Sequence, residues 1–386
     1  GPEIITATDS GVSATATLTE TTYCPGSCFT DTTVADFNGG TPGANTYVSE
    51  TTDGEVILSP TVGTEFSGAT LPSGWVTDNW GSGSQSVTVS EGWVTLHNAK
   101  LYTSATFGPG RSMEFAARFG GGTYQYGGFS DNGGSPPWAG FDFDQPGTTL
   151  TANENNTYIT SLPGSWVGTS HRYRVDWNVA TSAGDIVYYI DGVEVARHAH
   201  SETGSMRPMA TDYAADAKAN QVDWIRMSPY AGSGTFYSRV FDGGGPVDWG
   251  IVTWSADTPS GGSIVISAQS GNTPIPDGTW SGFSPISNGD SIGAHARYVQ
   301  YRAELATSNL DRTPALNELS LRYTSGTVGP PTKLGFVTQP AGAIAGSPFT
   351  TQPRVAVQDA FGNTVTTDNS TQVTLAIGTN PSGGVL

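Results

Sequence analysis

Between His171 and His200 the chain reads HRYRVDWNVATSAGDIVYYIDGVEVARHAH. Arg172, Arg174 and Asp176 alternate with Tyr173, Val175 and Trp177, the period of two that belongs to a strand with one wet and one buried face. Ile186, Tyr188 and Ile190 then run into Asp191-Gly192, and Val193 and Val195 continue beyond it. Asp-Gly between two such runs predicts a hairpin closed by a type I′ turn. Sheets with one apolar face must stack on something, so this stretch points to β-sandwiches. The 10 Trp, 15 Tyr and 15 Phe supply the aromatic area such cores need, and 51 Gly and 24 Pro supply the turns. The best helix candidate, Met209 to Asn220, predicts a short turn or helix at most. The fold class is therefore all-β, and 386 residues leave room for two to four domains.

The formal net charge is −18, with 16 Lys and Arg against 34 Asp and Glu. That balance disfavours nucleic acid and anionic membranes as partners, since both need cationic patches. No apolar run reaches the ~18 residues of a membrane span. Gly1-Pro2 reads as the scar of a cleaved expression tag, so the natural start is expected to be missing. Cys24 and Cys28 are the only cysteines. No His or second Cys pair lies nearby to complete a zinc site, so they are expected to form a small local disulfide in an oxidising compartment.

Several motifs resemble the concanavalin A-like lectin/glucanase superfamily, with laminin G-like domains as its wider setting. They are the strand and hairpin above, Gln221-Val-Asp-Trp-Ile-Arg-Met227 after them, and Phe66-Ser-Gly68 with Leu71-Pro-Ser-Gly-Trp75 at the start. Val87-Thr-Val89 and Trp93-Val-Thr-Leu96 look like its first hairpin, and Met113 to Phe119 like a strand lining the sheet. The resemblance covers 64–230. A second run of short strands, with Ser238-Arg-Val-Phe-Asp242, Pro276-Asp-Gly-Thr-Trp280 and Arg297-Tyr-Val-Gln-Tyr-Arg302, looks like a galactose-binding-like jelly-roll accessory module. Thirty residues with one strand, Glu55 to Leu58, cannot bury a core alone. The expected organisation is thus an N-terminal extension with the disulfide (1–29), a discontinuous jelly-roll module (30–63 plus 231–328), and the lectin-like domain inserted in it (64–230). Gly329-Pro-Pro331 reads as a stiff linker. Beyond it, 332–386 resembles a partial bacterial immunoglobulin-like repeat, about half of the ~90–100 residues a complete sandwich needs.

Catalytic laminarinase-like members of the resembled superfamily carry Glu-x-Asp-x-Glu on one strand, its outer carboxylates serving as nucleophile and acid/base. The matching stretch here is Ala139-Gly-Phe-Asp-Phe-Asp-Gln-Pro146. With Asp142 in the middle, Gly140 stands where the nucleophile should; with Asp144 in the middle, Pro146 replaces the acid/base. Neither register gives three carboxylates. Aromatics favour binding instead: Tyr124, Tyr126 and Trp138 could stack on pyranose faces, and Asp142 and Asp144 could accept hydroxyl hydrogen bonds. For Tyr124 and Tyr126 a core role competes with that reading. His198 and His200 form an i, i+2 pair without a third ligand, so no metal site is assigned. No cofactor is required, although acidic, Gly-rich loops such as Ser130-Asp-Asn-Gly133 could hold a structural calcium. Asn155-Asn-Thr157 and Asn369-Ser-Thr371 are sequons, meaningful only in a eukaryotic secretory route.

The reading these features support is a secreted or cell-surface bacterial modular protein that binds glycans or cell-surface polymers without catalysis. Two alternatives remain open. One is a stalk or filament subunit, in which the Glu3 to Thr22 strand of one copy completes the C-terminal repeat of the next. The other is a laminarinase-like glycoside hydrolase with a reduced, two-carboxylate site.

Overall fold

The computed structural model describes residues 27–51, 53–80, 83–143, 147–178, 185–199, 202–213, 218–325, 329–342, 349–359 and 364–374, together with the backbone of 3–9 and 12–18. Among them strand is the dominant regular structure. The single helix, Val34–Asn38, is capped by Thr33, whose hydroxyl accepts from the Asp36 amide while the Asp36 carboxylate accepts from the Thr33 amide.

Two antiparallel sheets stack over the middle of the chain. The back sheet runs Val193–His198, Ile186–Ile190, His171–Trp177, Arg111–Phe119, Asn220–Met227, Trp93–His97, Ser86–Ser90, with Val62–Thr64 set beside Asn220–Met227. The front sheet runs Tyr158–Leu162, Leu150–Glu154, Trp138–Phe143, Tyr126–Ser130, Arg207–Asp212, Ala99–Thr103, Trp75–Asn79. The expected alternation holds along His171–Trp177: Tyr173, Val175 and Trp177 lie in the core, as do Ile186 and Tyr188 on the next strand. The turn between Ile190 and Val193 places Asp191 at φ 49° and Gly192 at φ 81°, and Glu91-Gly92 repeats that geometry between Ser86–Ser90 and Trp93–His97. Rings from both layers interlock at the centre, Tyr173 lying 5.3 Å from Phe115 on its own sheet and 5.0 Å from Phe141 on the other.

One expectation needs correction, and one strand departs from simple alternation. Met209 to Asn220 contains no helix among its described residues; Arg207–Asp212 is a central front-sheet strand, and Asn220 opens the back-sheet strand. Pairing and burial in the front sheet override the helical preference of Met209 and Ala210. Trp224 is fully buried, but outside this core. An extra residue at Asp223 bulges the strand against Ala116-Ala117, which turns Trp224 and Arg226 to the far side of the back sheet.

A second body lies beyond that far side. It is one ten-stranded antiparallel sheet folded around its own core, in which Phe241–Asp257 and Ser291–Thr307 are long enough to serve both halves. Strands from before the first sandwich join it: Ser27–Asp31 pairs with Ala315–Ser325, and so does Glu55–Leu58, which also pairs with Thr46–Ser49. At the seam the Arg226 guanidinium stacks 4.1 Å above Trp224 and bonds Glu55 at 3.1 Å and Glu65 at 3.2 Å. Cys28 is disulfide-bonded, and Cys24 lies outside the described residues. Among the described residues, two further hairpins lie toward the ends of the chain, Glu3–Asp9 with Val12–Leu18 and Lys333–Thr338 with Arg354–Gln358.

Candidate functional site

The outer face of the front sheet is where the sequence placed its candidate residues. Strand pleating sends Phe129, Ala139, Phe141 and Phe143 inward. Trp138, Gly140 and Asp142 therefore point outward, with Tyr126 directly across from Asp142 and Gly128 across from Gly140. Along this face runs a shallow groove of about 250 Å³, lined among others by Trp80, Tyr124, Trp138, Asp142, Asn156 and Tyr213. It falls below the ~300–1,000 Å³ of enclosed ligand sites, so it is a platform and not a tunnel.

Each lining group is held from beneath. The Trp138 amide donates to Asn155 Oδ1 at 2.8 Å, and Asn155 Nδ2 donates to Glu202 at 2.9 Å. Trp177 Nε1, from the core, donates to the Glu202 carbonyl at 2.8 Å. Asn155 and Asn156 both take positive φ, 57° and 55°, in the tight turn after Leu150–Glu154, a conformation asparagine tolerates well. Both Asp142 oxygens already accept, one from the Thr151 hydroxyl and the other from Asn153 Nδ2 at 2.9 Å. At the other end Tyr213 makes edge contacts with Trp80 and Tyr124, and Lys100 Nζ sits 5.7 Å over the Trp80 ring.

Tyr126 departs from the expected platform role. Its ring lies along the sheet over Gly140 and is almost fully buried, and its hydroxyl donates to the Phe129 carbonyl at 2.5 Å. Burial, and behind it the charge of Asp142, pushes that phenol well above its ordinary range, so it stays a donor. A methyl group on residue 140 would stand 2.6 Å from Tyr126 Cζ and Oη. Tyr124 is not on a strand at all: it occupies a turn at φ 56° and is half-exposed at the groove's rim.

Asp144 and Pro146 lie outside the described residues, as does His200. His198 is buried between the layers, with Nε2 3.1 Å from the Thr160 hydroxyl and Nδ1 3.7 Å from Glu154. Among the described residues no three His, Cys, Asp or Glu side chains are grouped to hold a metal ion. In the Ser130–Gly133 loop the oxygens serve the loop itself. Ser130 Oγ accepts from the Gly133 amide at 2.9 Å, Asn132 Oδ1 from the Gly134 amide at 2.8 Å, and Lys100 Nζ donates to the Asn132 carbonyl at 2.7 Å. Sequence reasoning missed Trp80, Tyr213, Asn153 and Asn156. Asn155-Asn156 was the available signal, since paired asparagines fit a positive-φ turn beside the Trp138 strand.

No family model matches the chain, and no curated protein matches it significantly. Solved structures do. A prokaryotic β-1,3-1,4-glucanase (lichenase) derived from a mouse hindgut metagenome is similar over 44% of this chain and 98% of its own, at 18% identity and TM-score 0.32. An immunostimulatory antigen and pseudo β-1,3-glucanase of Mycobacterium tuberculosis matches over 44% and 98%, at 17% identity and TM-score 0.33. A glycosyl hydrolase family 16 protein from Mycobacterium smegmatis matches over 44% and 100%, at 13% identity and TM-score 0.30. The all-β sandwich architecture rests on the strand order above and not on these overlaps. No helix among the described residues is long and apolar enough to cross a membrane.

Proposed function

We propose that the front-sheet groove binds glycan and does not hydrolyse it, and that the chain works outside the cell as a modular glycan-binding protein. The observation that carries this reading is the Tyr126 ring over Gly140. A retaining glycosidase needs a nucleophile and an acid/base ~5 Å apart on the cleft face. In the register centred on Asp142 the nucleophile would be residue 140, which has no side chain, and the space above it is filled by a phenol. Asp142 itself is committed to Thr151 and Asn153, which suits a fixed acceptor better than a group that must gain and lose a proton. Binding asks for less: flat aromatics at Trp138, Trp80 and Tyr213 and a few polar groups beside them. A platform this shallow predicts weak affinity.

Incubation with a panel of β-glucans and galactans tests both halves. The expected outcome is retention on at least one glycan with no release of reducing ends. Trp138→Ala should weaken retention by about tenfold, equivalent to ~1.4 kcal/mol. Reducing ends released by the wild type and lost in Asp142→Asn would refute the non-catalytic half. EDTA is expected to leave binding unchanged, because none of the contacts invoked uses a metal.

A further inference from the structure

We propose that the free edge of the front sheet at Tyr158–Leu162 pairs with the same strand of a second copy, antiparallel and two-fold about Thr160, so that the chain dimerises through one continuous sheet. Among the described residues this strand has a single neighbour, Leu150–Glu154. Its other side presents the row of N–H and C=O groups that makes any edge strand a template for another.

The first sandwich has four such edges among the described residues, and three are defended. Val193–His198 carries the exposed Glu194 and Arg197, with Arg197 ion-paired to both Glu194 and Asp185. Trp75–Asn79 carries the exposed Asp78, and Ser86–Ser90 exposes only Ser86, Thr88 and Ser90. Tyr158–Leu162 has neither a charge nor a proline, and it leaves Tyr158 39% and Ile159 53% exposed. Charge and proline are the ordinary means by which a sheet edge is kept from pairing. This edge lacks both and adds apolar side chains.

Charge and symmetry together select a second copy as the occupant. The chain carries a formal net charge of −18, so two copies repel wherever their acidic surfaces meet. None of residues 155–170 is Asp, Glu, Lys or Arg, which keeps that repulsion low at this edge. Tyr158, Thr160 and Leu162 face the second layer: Leu162 lies in the core, the Thr160 hydroxyl is 3.1 Å from His198 Nε2, and the Tyr158 ring is 6.1 Å from the same imidazole. Ile159 stands on the outer face, across from Asn153. With Thr160 on the axis, Tyr158 meets Leu162 of the second copy and Ile159 meets Ser161 of the second copy. Inner residues thus meet inner ones and outer meet outer, with a favourable threonine pair at the centre. A strand from another protein would have to bring that pattern; a second copy brings it by symmetry. Both front-sheet grooves then open on the same side of the joined sheet, whatever they bind.

Sedimentation equilibrium of the whole chain is the test. It should span about 1 to about 500 μM, because a strand pair this short buries less than the ~1,200 Å² of a standard interface and gives a weak dimer. A reversible monomer–dimer equilibrium is expected. Ile159→Lys and Ser161→Lys, both at exposed positions, should keep the wild-type Tm and each weaken dimerisation by at least about tenfold. Val76→Lys, at the opposite edge of the same sheet, should leave it unchanged. Ile159→Lys/Ser161→Glu sets opposite charges across the axis and should recover part of the loss. A monomer throughout the range overturns the proposal, as does a dimer that survives both single lysine variants at this edge. Equal loss of association in Val76→Lys would overturn the assignment to Tyr158–Leu162.

Discussion

Gly140 and Tyr126 form a mutual fit that neither residue would reveal alone. The phenol can lie across the strand pair because Gly128 and Gly140 face each other beneath it without side chains. Gly140→Ala should therefore cost ~1–3 kcal/mol by overpacking. The part of that cost due to the ring should vanish in the Tyr126→Ala background, leaving the contact of the same methyl with the Gly127 carbonyl, 2.6 Å away, a partial coupling that a double-mutant cycle in urea would measure. If Gly140→Ala proves neutral, the ring is not held where the structure places it. Charge at the seam and inside the second body gives a second residue-scale expectation. Burial raises Glu50 to about 7 and Asp223 to about 6, the repulsion from Glu65 adding to both, and burial raises Asp31 to about 6 despite Tyr301 and Arg239. Between the ordinary carboxylate range and these values the folded state holds more protons than the unfolded chain. Stability must then fall as pH rises through that window, and the loss is complete above about pH 7. Thermal unfolding followed from pH 5 to pH 8 should show Tm falling by a few degrees, with a smaller fall in Glu50→Gln; a Tm that rises over that range would contradict the assignment.

At the scale of strands, the hairpin at Asp191-Gly192 and the alternation of Tyr173, Val175 and Trp177 were legible because one face of each strand is wet and the turn needs positive φ. Trp177 fills the core and donates to the Glu202 carbonyl, so Trp177→Ala should cost ~3–5 kcal/mol. It should also loosen the Glu202–Asn155–Trp138 chain under the groove, visible as weaker glycan retention in whatever fraction stays folded. Legibility failed where pairing is non-local. Arg207–Asp212 has no wet face to write a period of two, so nothing local marks it as a strand. Trp224 followed the alternation until one bulge reversed it, and a bulge depends on the partner strand, which no local pattern encodes. The groove was half legible for the same reason: Trp138 and Asp142 sit on one strand, whereas Trp80 and Tyr213 reach it from loops more than a hundred residues apart.

The whole molecule raises the question of which body owns which stretch of chain. Among the described residues, buried residues of the first core run from Phe66 to Met227, and those of the second come from Phe37–Leu58 and Tyr230–Leu321. The chain crosses between them at two adjoining points: the Ala231 amide donates to the Ser59 carbonyl at 2.9 Å, and the Thr61 amide to the Met227 carbonyl at 3.0 Å. Ends that meet this closely make a domain removable, because the host need only close a short gap. Replacing residues 61–228 by a short glycine linker should accordingly leave the second body folded. The seam sets the condition for that experiment. Glu55 is buried and paired with Arg226, and removing one partner of a buried pair costs ~3–5 kcal/mol. The excised chain should therefore carry Glu55→Gln, which keeps the bonds to Ser49 and Thr51 without the stranded charge. A cooperative thermal transition and native-like near-ultraviolet circular dichroism, at a lower Tm than the whole chain, are expected of this variant. A non-cooperative melt in the Glu55→Gln form would show that the second body needs the first to fold, and that the two are one unit in spite of their separate cores.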